Sequence, residues 1–104
     1  MEPRRARYEE VPAHDWNAWV DENDAVVIDV RQPEEWELGT LDGSMLIQMG
    51  EIPARLAEIP ADRAILCVCR SGSRSARVAS FLTQSGYSKV ANMTGGMKAL
   101  GLQT

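Results

Sequence analysis

Short apolar runs alternate with stretches of helical spacing along the whole chain. That alternation predicts an α/β domain with a mostly parallel sheet flanked by helices. Pro12 opens a predicted helix with Trp16, Trp19 and Val20 on one face. Residues 25–29 form a near-continuous apolar run, the pattern of a strand covered on both faces. Pro33, Glu34, Glu35 and Trp36 read as a helix start, since acids in a first turn suit the helix dipole, and Gly39 ends it. Residues 44–47 predict a short strand. Residues 52–59 predict a short helix with Ile52, Leu56 and Ile59 on one side, stopped by Pro60. Residues 64–68 are a second buried strand. Beyond it Val78, Ala79 and Leu82 repeat at helical spacing, with Gly86 placed as a C-terminal cap. Residues 87–92 predict a last short strand, Gly95-Gly96 a turn, and residues 97–102 a final helical segment.

The 104 residues suit one domain spanning 1–104, with residues 1–7 expected to be flexible. No apolar run approaches the ~20 residues of a membrane span, so no membrane partner is expected. The charged start MEPRRARYEE leads into no apolar segment of the secretory type. Cys67 and Cys69 make no disulfide framework, and with His14 as the sole histidine they cannot complete a zinc site. No metal or other cofactor is expected, and the setting expected is reduced and cytoplasmic.

The net charge of −4 argues against a nucleic-acid partner. Its distribution says more. Every acid lies at or before Asp62, whereas residues 63–104 carry only bases: Arg63, Arg70, Arg74, Arg77, Lys89 and Lys98. Folding can mix the two halves, so this asymmetry gains meaning only through a motif. A positive field would suit a small anion.

The motif is the passage from the strand at 64–68 through Cys69-Arg-Ser-Gly-Ser-Arg74 into a helix. In open α/β sheets, ligands bind outside the carboxyl ends of the strands. Gly72 and two serines let the backbone curl and turn successive N–H groups inward beside a helix N-terminus, an anion-attracting arrangement. The same field favours a thiolate at Cys69, with Arg70 and Arg74 adding positive charge. The loop contains no general base, and His14 falls on a predicted surface helix, so a Cys–His hydrolase is poorly supported. Attack on a sulfane sulfur needs no base. The thiolate becomes a persulfide, the loop N–H groups hold the negative sulfur, and a thiol or cyanide acceptor removes it in a ping-pong cycle.

From Tyr8 to Leu102 the chain resembles the single-domain rhodaneses, a family of sulfurtransferase modules. The resemblance is carried by Val27-Ile-Asp-Val-Arg31 with Glu34, Glu35, Trp36 and Gly39, and by Leu41-Asp-Gly-Ser44. Cys69-Arg-Ser-Gly-Ser-Arg74 with Ser75, then Gly86-Tyr87 and Gly95-Gly96, complete the ordered set. The loop is Cys-x4-Arg. Related dual-specificity phosphatases use a loop one residue longer, so the length favours sulfur over phosphate. Two positions depart from the family: Thr40, where a histidine often follows the glycine, and Leu100, where a tryptophan is frequent.

The resemblance implies a three-layer rhodanese-like domain with Cys69 as the catalytic nucleophile. Arg70, Ser71, Gly72, Ser73 and Arg74 would surround the donor, with Arg70 recruiting a small anionic sulfur donor and Arg74 bracing the loop against a carbonyl or an acid. Read from their positions, Asp29 and Arg31 at the carboxyl end of the neighbouring strand suit a structural ion pair more than a direct substrate contact, and Cys67, inside the strand, suits the core more than a resolving thiol. The activity implied is thiosulfate-type sulfur transfer. The alternatives are a protein-to-protein persulfide carrier, served by a sulfur-carrier protein, and a regulatory module with little activity on thiosulfate.

Overall fold

Among the described residues, five strands pair side by side, all parallel, in the order β1-β5-β4-β2-β3: β1 (Glu9–Pro12), β2 (Val26–Asp29), β3 (Met45–Leu46), β4 (Ile65–Val68) and β5 (Val90–Thr94). The structure is a computed structural model that describes residues 7–102. The flexibility expected of residues 1–7 therefore concerns, apart from the exposed Arg7, positions outside the described residues. Among the described residues, α1 (Trp16–Asn23), α2 (Pro33–Trp36) and α3 (Ser73–Gln84) connect successive strands, and α4 (Gly96–Ala99) follows β5.

The alternation of side chains along β4 divides the interior into two cores. Ile65 and Cys67 face one side, where Val78, Ala79 and Leu82 of α3 meet Ile28, Ile47, Ile52 and Ile59. Leu66 and Val68 face the other, against Met97 of α4 and the half-buried Trp16, Trp19 and Val20 of α1. All four residues of β4 are buried, because a central parallel strand is covered on both faces. Truncating a residue such as Leu66 to alanine would cost roughly 2–5 kcal/mol. The three-layer α/β architecture expected from the sequence is what forms. Among the described residues, no helix is long and apolar enough to cross a membrane.

The structure corrects three local expectations. Residues 9–12 form an edge strand that the pattern does not announce. Only Val11 of the four is buried, and Pro12, which has no N–H to give a ladder, closes the strand instead of opening a helix. A 3-10 turn at Ala13–Asp15 follows, and α1 starts at Trp16. Residues 52–59 do not form a helix. Two 3-10 turns, Met49–Glu51 and Leu56–Glu58, flank Pro53, which has no amide proton for a helical bond. Ile52 and Ile59 are still buried as the spacing predicts. The last strand begins at Val90, later than expected. Tyr87 instead enters the first core and donates its hydroxyl to the Ile59 carbonyl at 2.7 Å.

Candidate active site

β4 ends at Val68, and α3 begins at Ser73. Between them the chain turns through Gly72, whose φ of +101° is open to glycine at little strain. This turn aims backbone N–H groups at one atom. The Sγ of Cys69 accepts from Gly72 N at 3.1 Å, Ser75 N at 3.3 Å and the Ser75 hydroxyl at 3.2 Å. Burial by itself would push this thiol up. The Ser75 hydroxyl and the N–H groups of Ser75, Gly72 and Ser71 outweigh burial, so the Cys69 pKa lies below its ordinary value. The anionic sulfur is thus favoured without any histidine.

The loop is held from behind by α4. Met97 N donates to the Cys69 carbonyl at 3.0 Å, and Lys98 N donates to the Arg70 carbonyl at 2.9 Å. This contact explains the second glycine of the pair. Gly96 has a φ of +63°, and a Cβ there would collide with the carbonyls of Cys69 and Arg70. The sequence signal was visible as punctuation, but its role as a seat for the loop depends on a contact far along the chain.

Two arginine–carboxylate pairs flank the loop and differ in exposure. Arg31 is fully buried at the end of β2. It donates through Nε and Nη2 to both oxygens of Asp29, and through Nη2 to the Gly39 carbonyl at 2.6 Å. The second pair is partly exposed. Arg74 grips both oxygens of Glu35, at 2.7 and 2.9 Å, and so joins the start of α3 to α2. That grip, aided by the Gln32 N–H in a capping box, lowers the Glu35 pKa to about 2 against the opposing effect of burial. Glu35 in turn raises the Arg74 pKa, and Cys69 and Asp29 add to this at longer range.

The remaining loop residues face outward. Arg70, Ser71 and Ser73 are exposed around the buried Cys69 and Gly72. Cys67 points into the first core, fully buried. Burial and the neighbouring Cys69 both push its thiol up, so it stays protonated. Both cysteines are free.

Sequence reasoning missed Ser75 as a partner of the sulfur, Glu35 as the acid that Arg74 holds, and Asn92. Asn92 lies buried on β5 and bonds to Ser75, Gly72 and Glu10. A polar residue within a buried strand run is the signal that could have drawn attention to it.

A family model described as a rhodanese-like domain matches residues 13–102. The chain is 39% identical to a sulfurtransferase from Allochromatium vinosum, over 76% of this chain and 74% of that one. It is 32% identical to the thiosulfate sulfurtransferase GlpE of Pseudoalteromonas translucida, over 77% of this chain and 76% of that protein. The crystal structure of a rhodanese-like domain protein from Staphylococcus aureus superposes with a TM-score of 0.80 at 29% identity, covering 91% of this chain and 96% of that one.

Proposed function

The chain belongs to the rhodanese-like domain family, and from that premise we propose that it transfers sulfur through a persulfide on Cys69. The donor is a small anion of the thiosulfate type. The Cys69 thiolate attacks the outer, sulfane sulfur, and an S–S bond forms as the bond to the sulfite group breaks. Sulfite leaves with the bonding electron pair. The acceptor, cyanide or a thiolate, then attacks the outer sulfur of the persulfide and restores the Cys69 thiolate. No proton needs to move in either step, which suits a loop without a general base.

The observation that carries this reading is the set of donors converging on Sγ, which favours the sulfur as an anion. In the persulfide the charge moves to the outer sulfur, and backbone N–H groups of this loop would hold it there. Arg70, exposed in the loop, supplies positive charge for an incoming donor, and Arg74, committed to Glu35, keeps the loop in shape. The identity to the thiosulfate sulfurtransferase GlpE supports the small donor.

The test is intact-mass measurement after incubation with thiosulfate, then with cyanide. One added sulfur atom is expected on the native chain and removed by cyanide, with none on Cys69→Ser. No gain on folded native protein would overturn the small donor and favour a protein-fed carrier. A gain on Cys69→Ser would overturn the mechanism.

A further inference from the structure

Behind the active loop, one hydrogen atom has two claimants. Asn92 Nδ2 donates to the Gly72 carbonyl and to Glu10 Oε1, both at 3.1 Å. Both of these are acceptors, so they fix the orientation of the amide and turn Oδ1 toward Ser75. Oδ1 can only accept, and it lies 2.5 Å from the Ser75 Oγ. The same Oγ lies 3.2 Å from the Cys69 Sγ, which as a thiolate is also an acceptor only. Ser75 has a single hydroxyl proton, and it cannot serve both.

We propose that Asn92 is a positioning residue that acts through Ser75, holding its hydroxyl proton while Cys69 is a neutral thiol and yielding it to the sulfur when the thiolate forms. With a neutral thiol, the Cys69 S–H donates to Oγ while the hydroxyl donates to Asn92. When the thiol proton leaves for solvent, the hydroxyl turns to the sulfur, and Oδ1 is left as a buried acceptor without this donor. Asn92 therefore favours the thiol, and Ser75 favours the thiolate. Once the persulfide forms, the charge resides on the outer sulfur and the hydroxyl returns to Asn92. The inference rests on Cys69 acting as the thiolate nucleophile.

The charged and titratable groups around this trio lie on β1, β2, β4, the loop, α2 and α3, and Lys98 of α4 is exposed. Glu10 of β1 meets the Asn92 amide, and Cys67 of β4 stays protonated. Arg70 adjoins Cys69 in the loop. Arg74 of α3 interacts with Cys69 at longer range but is held by Glu35 of α2, and Asp29 of β2 is paired with Arg31. None of them takes the Ser75 proton.

The test reads the thiol of the full chain with no sulfur donor present, as the pH dependence of Cys69 alkylation by iodoacetamide. Ser75→Ala is expected to raise the midpoint by roughly one unit, the scale of a lost hydrogen bond to a charged acceptor. Asn92→Leu is expected to lower it by roughly half a unit, and to shift nothing when added to Ser75→Ala. If Asn92 merely shaped the loop, its loss would raise the midpoint or leave it unmoved in both backgrounds, and either result overturns the proposal. A second measurement needs no change at Asn92. Its side-chain carboxamide NMR signals should titrate with Cys69 in the native chain and fall silent in Ser75→Ala. Signals that stay fixed in the native chain overturn the proposal as well. Failure of sulfur transfer would show in the mass experiment and leave these midpoints as they are, so the two outcomes are separable.

Discussion

Cys67 and Cys69 are separated by one residue, face the same core and are both buried, yet their thiols are driven in opposite directions. The difference lies in the backbone around them. At Cys67 the strand is inside the ladder, paired with Ile28 on one side and Asn92 on the other, so nearby N–H groups are spent on neighbouring strands. Its sulfur meets apolar side chains, and burial wins. At Cys69 the ladder has ended. The N–H groups of Gly72 and Ser75 have no strand to pair with and turn to the sulfur. Burial alone thus does not decide the state of a thiol; the destination of the surrounding donors does. The comparison is broken most directly by alkylation at neutral pH. Iodoacetamide should label Cys69 faster than Cys67 by roughly two orders of magnitude or more, as read by peptide mapping. Equal labelling would mean that the loop donors do not stabilise the thiolate.

The support behind the loop can be removed next. Gly96→Ala drives a Cβ into the carbonyls of Cys69 and Arg70 in a backbone conformation that disfavours side chains. A loss of about 2–3 kcal/mol is expected in urea unfolding, with Cys69 alkylation slowed several-fold. Gly43→Ala is the control. Its φ is also positive, at +78°, but a Cβ there meets nothing within 4 Å. It should cost about 1 kcal/mol and leave alkylation unchanged. Equal effects of the two would deny α4 its role in shaping the loop.

These contacts also show which parts of the molecule are legible in the sequence. Residues 25–29 and 64–68 were readable as central strands because both faces are covered, leaving an uninterrupted apolar run. Cys69 was readable because glycine and serine after a buried strand leave the backbone few other destinations. β1 was not, since an edge strand needs one apolar side chain and here has only Val11 buried. Residues 52–59 kept the expected apolar side but not the helix, because apolar spacing reports burial and says little about hydrogen-bond geometry. Ser75, Asn92 and the Glu35–Arg74 pair were hidden for a different reason. Glu35 and Arg74 are 39 positions apart, and Asn92 reaches Ser75 across 17, so each takes its meaning from the way the sheet is wound.

The two ion pairs beside the loop sharpen the comparison through pH. Glu35 is held at about 2 in the folded chain, against its usual value near 4.5. A depressed carboxyl stabilises the fold fully above its unfolded value. That contribution declines as the pH falls from about 4.5 to about 2. Because the pair is partly exposed, its worth is of the order of 1–2 kcal/mol after screening. Arg74→Gln should lower the urea midpoint near neutrality and flatten this part of the acid limb. The Gln32 N–H would preserve the remainder. A variant that parallels the native chain across the whole acid range would remove the Arg74–Glu35 bond from the stability of the loop.

The smallest expected effect belongs to Cys67 itself. Cys67→Ala removes one buried sulfur and leaves the backbone ladder intact, so a loss of about 1 kcal/mol is expected. Sulfur transfer, the Cys69 alkylation midpoint and the release of sulfur to cyanide should all be unchanged. The competing role is that of a resolving thiol, whose thiolate attacks Sγ of the loaded Cys69, forming a disulfide as the persulfide S–S bond breaks and the outer sulfur leaves as hydrosulfide. Geometry opposes it: two cysteines separated by a single residue can bridge only with strain. The raised thiol of Cys67 opposes it too, since the nucleophile in such an attack is the thiolate. A Cys67→Ala chain that accepts one sulfur and then stalls would reverse this assignment. It would make the buried cysteine part of the cycle despite its place inside the ladder. Continued turnover would leave Cys67 as packing beneath a site whose chemistry begins where the strand ends.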